Sequence, residues 1–271
     1  NYRIMAGIGD NTSKVTKYDN PNRTLTDPYE GQQLGEIWGY VVDGYFKTDE
    51  EARNYKVDQS FVNQMINASA LDNGLHAGDL KFVDLDGNNK IEQTTSANDR
   101  KDMKVIGNSL PRYNYNFGIS ADWYGIDFSV LFQGIGKQNW YPGAETSMFW
   151  GPYSRPYASF IPSDFMSQVW SEENTNAYFP RPRGYVALGS NRELAVVNTK
   201  YLQNLAYCRL KNLSIGYTLP DKWLSKIGFE KIRVYFSGEN LLTFTKLHSD
   251  YIDPEQASAS NSWKTSKSDA N

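Results

Sequence analysis

One short acidic stretch carries oxygen-bearing side chains at the spacing of a calcium-binding loop. Asp84, Asp86 and Asn88 stand at positions i, i+2 and i+4, and Lys90 follows at the position that offers its backbone carbonyl. Hard cations such as Ca²⁺ take several oxygen ligands from a loop of this kind. Glu92 adds one more carboxylate. The spacing predicts a calcium site, and Ca²⁺ is the only cofactor that the sequence suggests.

Two positions of this acidic stretch depart from the usual calcium loop. The twelfth position is Thr95, where a bidentate Glu is usual. Asn89 stands where Gly is usual, although Asn tolerates the left-handed backbone that such a turn needs. The alternative is an Asx turn that holds no metal. The sequence leaves both interpretations open.

Aromatic residues are concentrated in a second stretch, between residues 140 and 153. Aromatic faces stack on the C–H surfaces of sugars, while a carboxylate or a guanidinium group binds hydroxyls. The alternative is that these rings pack the loop against itself. The candidate contacts for cargo or for a lid protein are Trp140, Tyr141, Glu145, Phe149, Trp150, Tyr153 and Arg155.

The chain offers little that could catalyse a reaction. His76 and His248 are its 2 histidines, and they lie far apart in the sequence without metal-ligand spacing. Glu172 and Glu173 resemble a solvated surface more than a glycosidase pair. The net charge of −3 gives no basic excess for nucleic acid. We therefore expect neither an enzyme nor a nucleic-acid-binding protein.

Five segments alternate between apolar and polar residues, as half-buried β-strands do. The clearest runs from Tyr113 to Trp123, where tyrosine, phenylalanine and isoleucine alternate with asparagine, glycine and serine. The pattern predicts an all-β chain. Strands are expected near residues 1–10, 105–123, 126–134, 206–219 and 232–244.

The connections between these strands alternate in length. Tyr124-Gly125 has the length of a tight hairpin, and residues 220–231 form the other short connection, whereas residues 11–104 and 135–205 are long. Short periplasmic turns and long extracellular loops are typical of an outer-membrane barrel. The mean hydropathy of −0.62 is low, and no run approaches the roughly 18 apolar residues of a membrane helix.

The long connections have local features of their own. Thr48 followed three residues later by Glu51 predicts an N-capped helix in the first of them, and Phe61, Met65 and Ile66 follow with helical spacing. Residues 245–271 form a third loop, whose Ser-, Asn- and Lys-rich end is expected to be mobile.

Several stretches follow one another in a set order through nearly the whole chain. The first reads GQQLGEIWGYVVDGYF and a later one YCRLKNLSIGYTLP. Together they resemble the C-terminal barrel portion of the SusC/RagA-type TonB-dependent outer-membrane transporters. The stretches are Gly31–Phe46, Gly78–Ile91, Asp99–Arg100, Val105–Asn108, Tyr207–Pro220, Arg233–Phe244 and Asp250–Glu255.

This resemblance implies the C-terminal portion of a large antiparallel transmembrane β-barrel, 22-stranded in the family, with long extracellular loops that carry short helices. It implies import of oligosaccharides, or of peptides in some relatives, through the outer membrane of a Gram-negative cell. The implied partners are a plug domain, the TonB complex and a SusD-like surface lipoprotein that closes over the extracellular mouth.

The resemblance also bears on the ends of the chain and on the acidic stretch. The plug, the first barrel strands and the final strand are expected to be absent, so that other segments complete the barrel, since open sheet edges cannot stand in lipid. In the family an Asp-Arg pair closes the acidic loop, and Asp99 is therefore expected to supply the last carboxylate of the calcium site.

One face of the predicted sheet is expected to contact the membrane. On the lipid face we expect Phe117, Phe128, Val130, Ile215 and Val234, and in the interfacial girdles we expect Tyr113, Trp123, Tyr207 and Tyr217. The alternative fold is a soluble β-sandwich carbohydrate-binding module, in which the apolar faces would point into a closed core.

Overall fold

The chain forms two compact units in a computed structural model that describes residues 1–63, 74–154, 161–182, 187–189, 192–225 and 228–257. The sheet unit comprises Asn1–Thr12, Pro111–Gln138 and Asn204–Leu247. The loop unit comprises Ser13–Leu110, Asn139–Gln203 and His248–Asn271. It therefore consists of the segments that connect or follow the long strands. Within the described ranges, no helix is both long and apolar enough to cross a bilayer.

The regular elements are mostly strands. In chain order the strands are β1 (Tyr2–Gly9), β2 (Glu36–Tyr40), β3 (Val42–Tyr45), β4 (Leu80–Phe82), β5 (Met103–Asn108), β6 (Arg112–Trp123), β7 (Ile126–Lys137), β8 (Asn139–Trp140), β9 (Gln203–Asn204), β10 (Tyr207–Thr218) and β11 (Arg233–Thr245). The short helices are α1 (Asp49–Arg53), α2 (Ser147–Trp150) and α3 (Asp221–Leu224), and 3₁₀ turns span Gly151–Tyr153 and Phe165–Gln168.

The sheet unit is one antiparallel sheet of five strands in the order β1-β6-β7-β10-β11. Its register aligns the apolar positions of neighbouring strands, since Ile119 of β6 faces both Ile4 of β1 and Val130 of β7. A parallel row of serines runs along the other face. Because side chains alternate between the two faces, one face is apolar and the other is polar. The serine row consists of Ser120, Ser129, Ser214 and Ser237.

The apolar face is not enclosed in a core. Phe117, Ile215 and Val234 are 40%, 46% and 65% exposed, and Phe128 and Val130 are partly exposed. In a β-sandwich these side chains would be covered by a second sheet. The sandwich interpretation is therefore wrong for this sheet.

The hairpin between β6 and β7 has the predicted two-residue turn. Tyr124 and Gly125 both have positive φ, 46° and 85°, as the tight turns that match strand twist require. Trp123 and Tyr124 are strongly exposed beside it. Tyr207 differs from the other residues expected in the girdles, since only 6% of it is exposed.

The loop unit has a core of its own, rich in aromatic rings. Trp150 packs edge-on against Phe149 and Tyr201, and Phe179 stacks on Tyr153. Two small antiparallel strand pairs, β2 with β5 and β3 with β4, also belong to this unit. The long connections are therefore folded and packed against one another.

Two predicted elements of the loop unit can be compared with the structure. α1 begins where expected, with the Thr48 hydroxyl accepting a hydrogen bond from the Glu51 N–H at 3.1 Å. Residues 105–108 do not continue into β6, because they belong to β5 and pair with β2. Pro111, which has no N–H to donate to a ladder, stands immediately before β6. Met65 and Ile66 and the tail from residue 258 lie outside the described residues.

Candidate functional site

Three carboxylates converge at the acidic stretch of the loop unit. One oxygen from each of Asp84, Asp86 and Asp102 lies within 4.8 Å of the others. Like charges at this separation repel one another unless a cation or a proton is shared among them. The arrangement therefore has the oxygen chemistry that a hard cation requires.

The backbone of the stretch is folded as an Asx turn around Asp84. Its carboxylate accepts hydrogen bonds from the N–H groups of Gly87 and Asn89, both at 2.7 Å. Asn89 has the left-handed conformation that the sequence anticipates, with φ of 62°. Burial raises the pKa of Asp84, but the hydrogen bonds to its carboxylate, led by those from the Asn89 and Gly87 N–H groups, together lower it below its ordinary value. The Asx turn and the carboxylate cluster therefore coexist.

Asn88, Lys90 and Glu92 make hydrogen bonds within the stretch. The Asn88 side-chain amide donates to Asp86 at 3.2 Å and to Glu92 at 3.1 Å, and its oxygen accepts from the Lys90 N–H at 2.8 Å. Glu92 also pairs with Lys101 at 3.4 Å. Glu92 is not one of the three converging carboxylates.

The third carboxylate of this cluster is Asp102, whereas Asp99 is not among the three converging groups. Asp102 is fully buried and accepts hydrogen bonds from the Leu85 N–H at 2.8 Å and the Glu92 N–H at 2.7 Å. Burial raises the pKa of Asp102, and the carboxylates of Asp86 and Asp84 add to the increase against the two hydrogen bonds. The Asp99 N–H closes a separate turn onto the Ser96 carbonyl. Asp102 was not predicted from the sequence. The one feature that could have indicated it is its position directly before β5.

The aromatic stretch lies largely inside the loop unit. Trp140, Phe149, Trp150 and Tyr153 are each no more than 3% exposed. The Trp150 indole N–H reaches the Pro142 and Gly143 carbonyls at 3.2 and 3.0 Å. In this structure the four rings are buried, and Phe149, Trp150 and Tyr153 belong to the aromatic core of the loop unit.

The remaining members of that candidate set have different positions. The partly buried Tyr141 donates its hydroxyl to the Leu194 carbonyl at 2.8 Å. Glu145 is exposed. Arg155 lies outside the described residues. Among the described members of the candidate set, Glu145 and part of Tyr141 are thus accessible.

Comparison with known proteins places the chain in a family. It is 31% identical over 228 residues to TonB-dependent receptor P3 of Formosa agariphila, an alignment that covers 83% of the chain and 19% of that receptor. The chain belongs to the TonB-dependent receptor family. A second relative, TonB-dependent receptor P39 of the same organism, is 27% identical over 241 residues, which cover 80% of this receptor segment and 22% of the relative. The segment spans about a fifth of the length of these relatives. No protein-family model matches it.

Solved structures give the fold of the receptor segment. The RagAB peptide importer in its "open-open" state aligns with 95% of the segment and 24% of that chain, with a TM-score of 0.54 and 18% identity. The "closed-closed" state gives a TM-score of 0.53 and 20% identity over 95% of the segment and 25% of that chain. The predicted fold class, a portion of a large β-barrel of the SusC/RagA type, is confirmed.

Proposed function

We propose that this receptor segment forms part of a TonB-dependent transporter in the outer membrane of a Gram-negative cell. The observation that carries the proposal is the division of the five-stranded sheet into an exposed apolar face and a polar face. Transmembrane β-strands require this division, because one face meets lipid and the other meets the barrel interior. The relatives named as TonB-dependent receptors support the same conclusion.

The proposed partners follow from what a barrel segment lacks. β1 and β11 are the edges of the sheet, and an unpaired edge is not tolerated in lipid. We propose that further barrel strands complete the sheet. The plug and the TonB complex are proposed from the relatives named as TonB-dependent receptors. We propose no catalytic role.

For the cargo, we propose oligosaccharides captured together with a SusD-like surface lipoprotein. Peptide cargo is the competing possibility, since RagAB is described as a peptide importer. Uptake of labelled oligosaccharides and of labelled peptides should be measured in cells with and without the full-length receptor. Receptor-dependent oligosaccharide uptake that stops when the proton-motive force is collapsed supports the proposal. Receptor-dependent uptake of peptides alone contradicts the cargo, and no receptor-dependent uptake contradicts transport.

We also propose that the acidic stretch binds Ca²⁺ through Asp84, Asp86 and Asp102. The support is the convergence of three carboxylates, one of them fully buried. A cation would remove the repulsion among them and fix the stretch against the start of β5. In this proposal the ion orders the loop unit and does not touch cargo.

A further inference from the structure

A depression of about 220 Å³ lies on the polar face of the five-stranded sheet. It follows one row of the register, in which Met5 of β1, Gly118 of β6, Leu131 of β7 and Asn212 of β10 stand side by side. All four residues line the depression, together with two members of the neighbouring serine row. The depression is therefore part of the face that would line the interior of the proposed barrel.

Two apolar side chains interrupt the polar pattern of this face. Along β7, Leu131 stands between Ser129 and Gln133, and along β1, Met5 follows Arg3 on the same face. Met5 is 44% exposed and Leu131 is partly exposed. Side chains that point into the solvated interior of a barrel are expected to be polar. An apolar pair at this place therefore indicates contact with another apolar group.

Gly118 lets the Met5 side chain lie flat against the backbone of β6. A Cβ at Gly118 would lie 2.7 Å from Met5 Cε and 3.1 Å from Met5 Cγ. The space that remains is large enough for a side chain, since an apolar cavity of about 150 Å³ holds a benzene molecule and the depression measures about 220 Å³. One leucine or phenylalanine side chain fits this volume.

We propose that this depression receives one apolar side chain, of the size of leucine or phenylalanine, from the receptor's own plug. The inference rests on the proposed function, because only a barrel turns this face inward. Outer-membrane transporters with 22 strands have a plugged lumen, and the segment spans about a fifth of the length of its relatives, which leaves a long remainder of chain to supply the plug. An oligosaccharide would present hydroxyl groups and pass only transiently, so it would leave Met5 and Leu131 without an apolar partner.

Photocrosslinking in the full-length receptor in lipid vesicles identifies the occupant. The photoreactive amino acid p-benzoylphenylalanine replaces Leu131 in one variant and its neighbour Val130, on the apolar face, in the matched control. We expect the probe at position 131 to crosslink to an apolar residue of the plug, identified by mass spectrometry, and the probe at position 130 to crosslink to lipid. Crosslinks from position 131 only to cargo, to a separate protein or to no protein would overturn the docking site. A probe at position 130 that also reaches the plug would contradict the barrel itself.

Two further variants test whether the contact is apolar. Leu131→Asn places an amide in the depression, and Ser214→Asn places the same amide on the same face but outside the depression. Hydrogen exchange in the crosslinked plug peptide should become about tenfold faster in Leu131→Asn, because the buried amide lacks hydrogen-bond partners, and should stay unchanged in Ser214→Asn. Equal exchange in the two variants would contradict an apolar contact. If Leu131→Asn does not fold, the crosslinks from position 131 decide the question.

Discussion

Asp127 of β7 and Arg233 of β11 form a bidentate ion pair although β10 lies between their strands. Arg233 donates from Nε to Oδ1 at 2.9 Å and from Nη2 to Oδ2 at 2.5 Å. Gly216 of β10 stands opposite Asp127 in the register. A Cβ at this position would lie 2.6 Å from both partners. The pair therefore spans three strands only because the middle one has no side chain there.

Replacing Gly216 with Val should break this ion pair. The added side chain occupies the space between Asp127 and Arg233, and overpacking of this kind costs about 1–3 kcal/mol. Urea unfolding of the full-length receptor, followed by the shift in gel mobility on barrel unfolding, measures the loss. Gly9→Val is the control, since nothing lies within 4 Å of a Cβ there. Equal stability of the two variants would show that the pair does not constrain the sheet.

Trp150→Ala should destabilise the loop unit by about 3–5 kcal/mol, because it removes a fully buried ring and leaves a cavity. Hydrogen exchange across residues 139–154 should become faster in the variant, while the β6–β7 hairpin keeps its protection. Glu145→Ala, at an exposed position of the same stretch, is the control and should leave exchange unchanged. Loss of cargo uptake in Trp150→Ala without faster exchange would instead favour direct ligand contact by the ring.

Calcium should stabilise the receptor through Asp102 rather than Asp99. At 100 times its dissociation constant a ligand adds about 2.7 kcal/mol to stability, which thermal unfolding with Ca²⁺ and with a chelator can detect. We expect the calcium-dependent increase in Tm in the parent receptor and in Asp99→Asn, and its loss in Asp102→Asn. Loss of the increase in Asp99→Asn but not in Asp102→Asn would instead identify Asp99 as the closing ligand. If calcium does not raise the Tm of the parent receptor, the stretch is an Asx turn that binds no metal.

The segment around His248 should become less stable as the pH falls. Because burial lowers the folded-state pKa of His248, the unfolded chain takes up a proton first, from about pH 6.5. Stability is fully present above that pH and falls as the pH approaches the lower folded value. Asp164 and Asp250 oppose this loss, while Lys200 adds to it. The protection factors for hydrogen exchange near residues 248–251, which are corrected for the intrinsic pH dependence of exchange, should fall between pH 7.5 and 5.5, and His248→Gln should remove that decrease.

The strands of the sheet could be predicted from the sequence because their signal is local. Alternation with period two sets both the strand and its two faces, and the Tyr124-Gly125 turn fixes the hairpin. Residues 105–108 were predicted to belong to the same strand as Tyr113–Trp123, whereas they pair with β2. Strand pairing depends on a distant segment, which a local pattern does not contain.

The candidate sites were harder to predict because they depend on tertiary packing. The spacing of Asp84 and Asp86 is visible in the sequence, but Asp102 reaches them only through the path of the chain into β5. Likewise, an aromatic-rich stretch does not reveal which way its rings point. Trp150 faces inward because its indole N–H is satisfied by two local carbonyls.

The claim that the sheet crosses a membrane is tested most directly by spin labels on adjacent residues. In a Cys208→Ser background of the full-length receptor in lipid vesicles, single labels replace Ser129, Val130, Ser214 and Ile215. Collisions with lipid-soluble oxygen should be frequent at Val130 and Ile215 and rare at the two serine positions. Equal oxygen accessibility at all four positions, or greater access of a water-soluble relaxant to Val130 and Ile215, would contradict a transmembrane sheet.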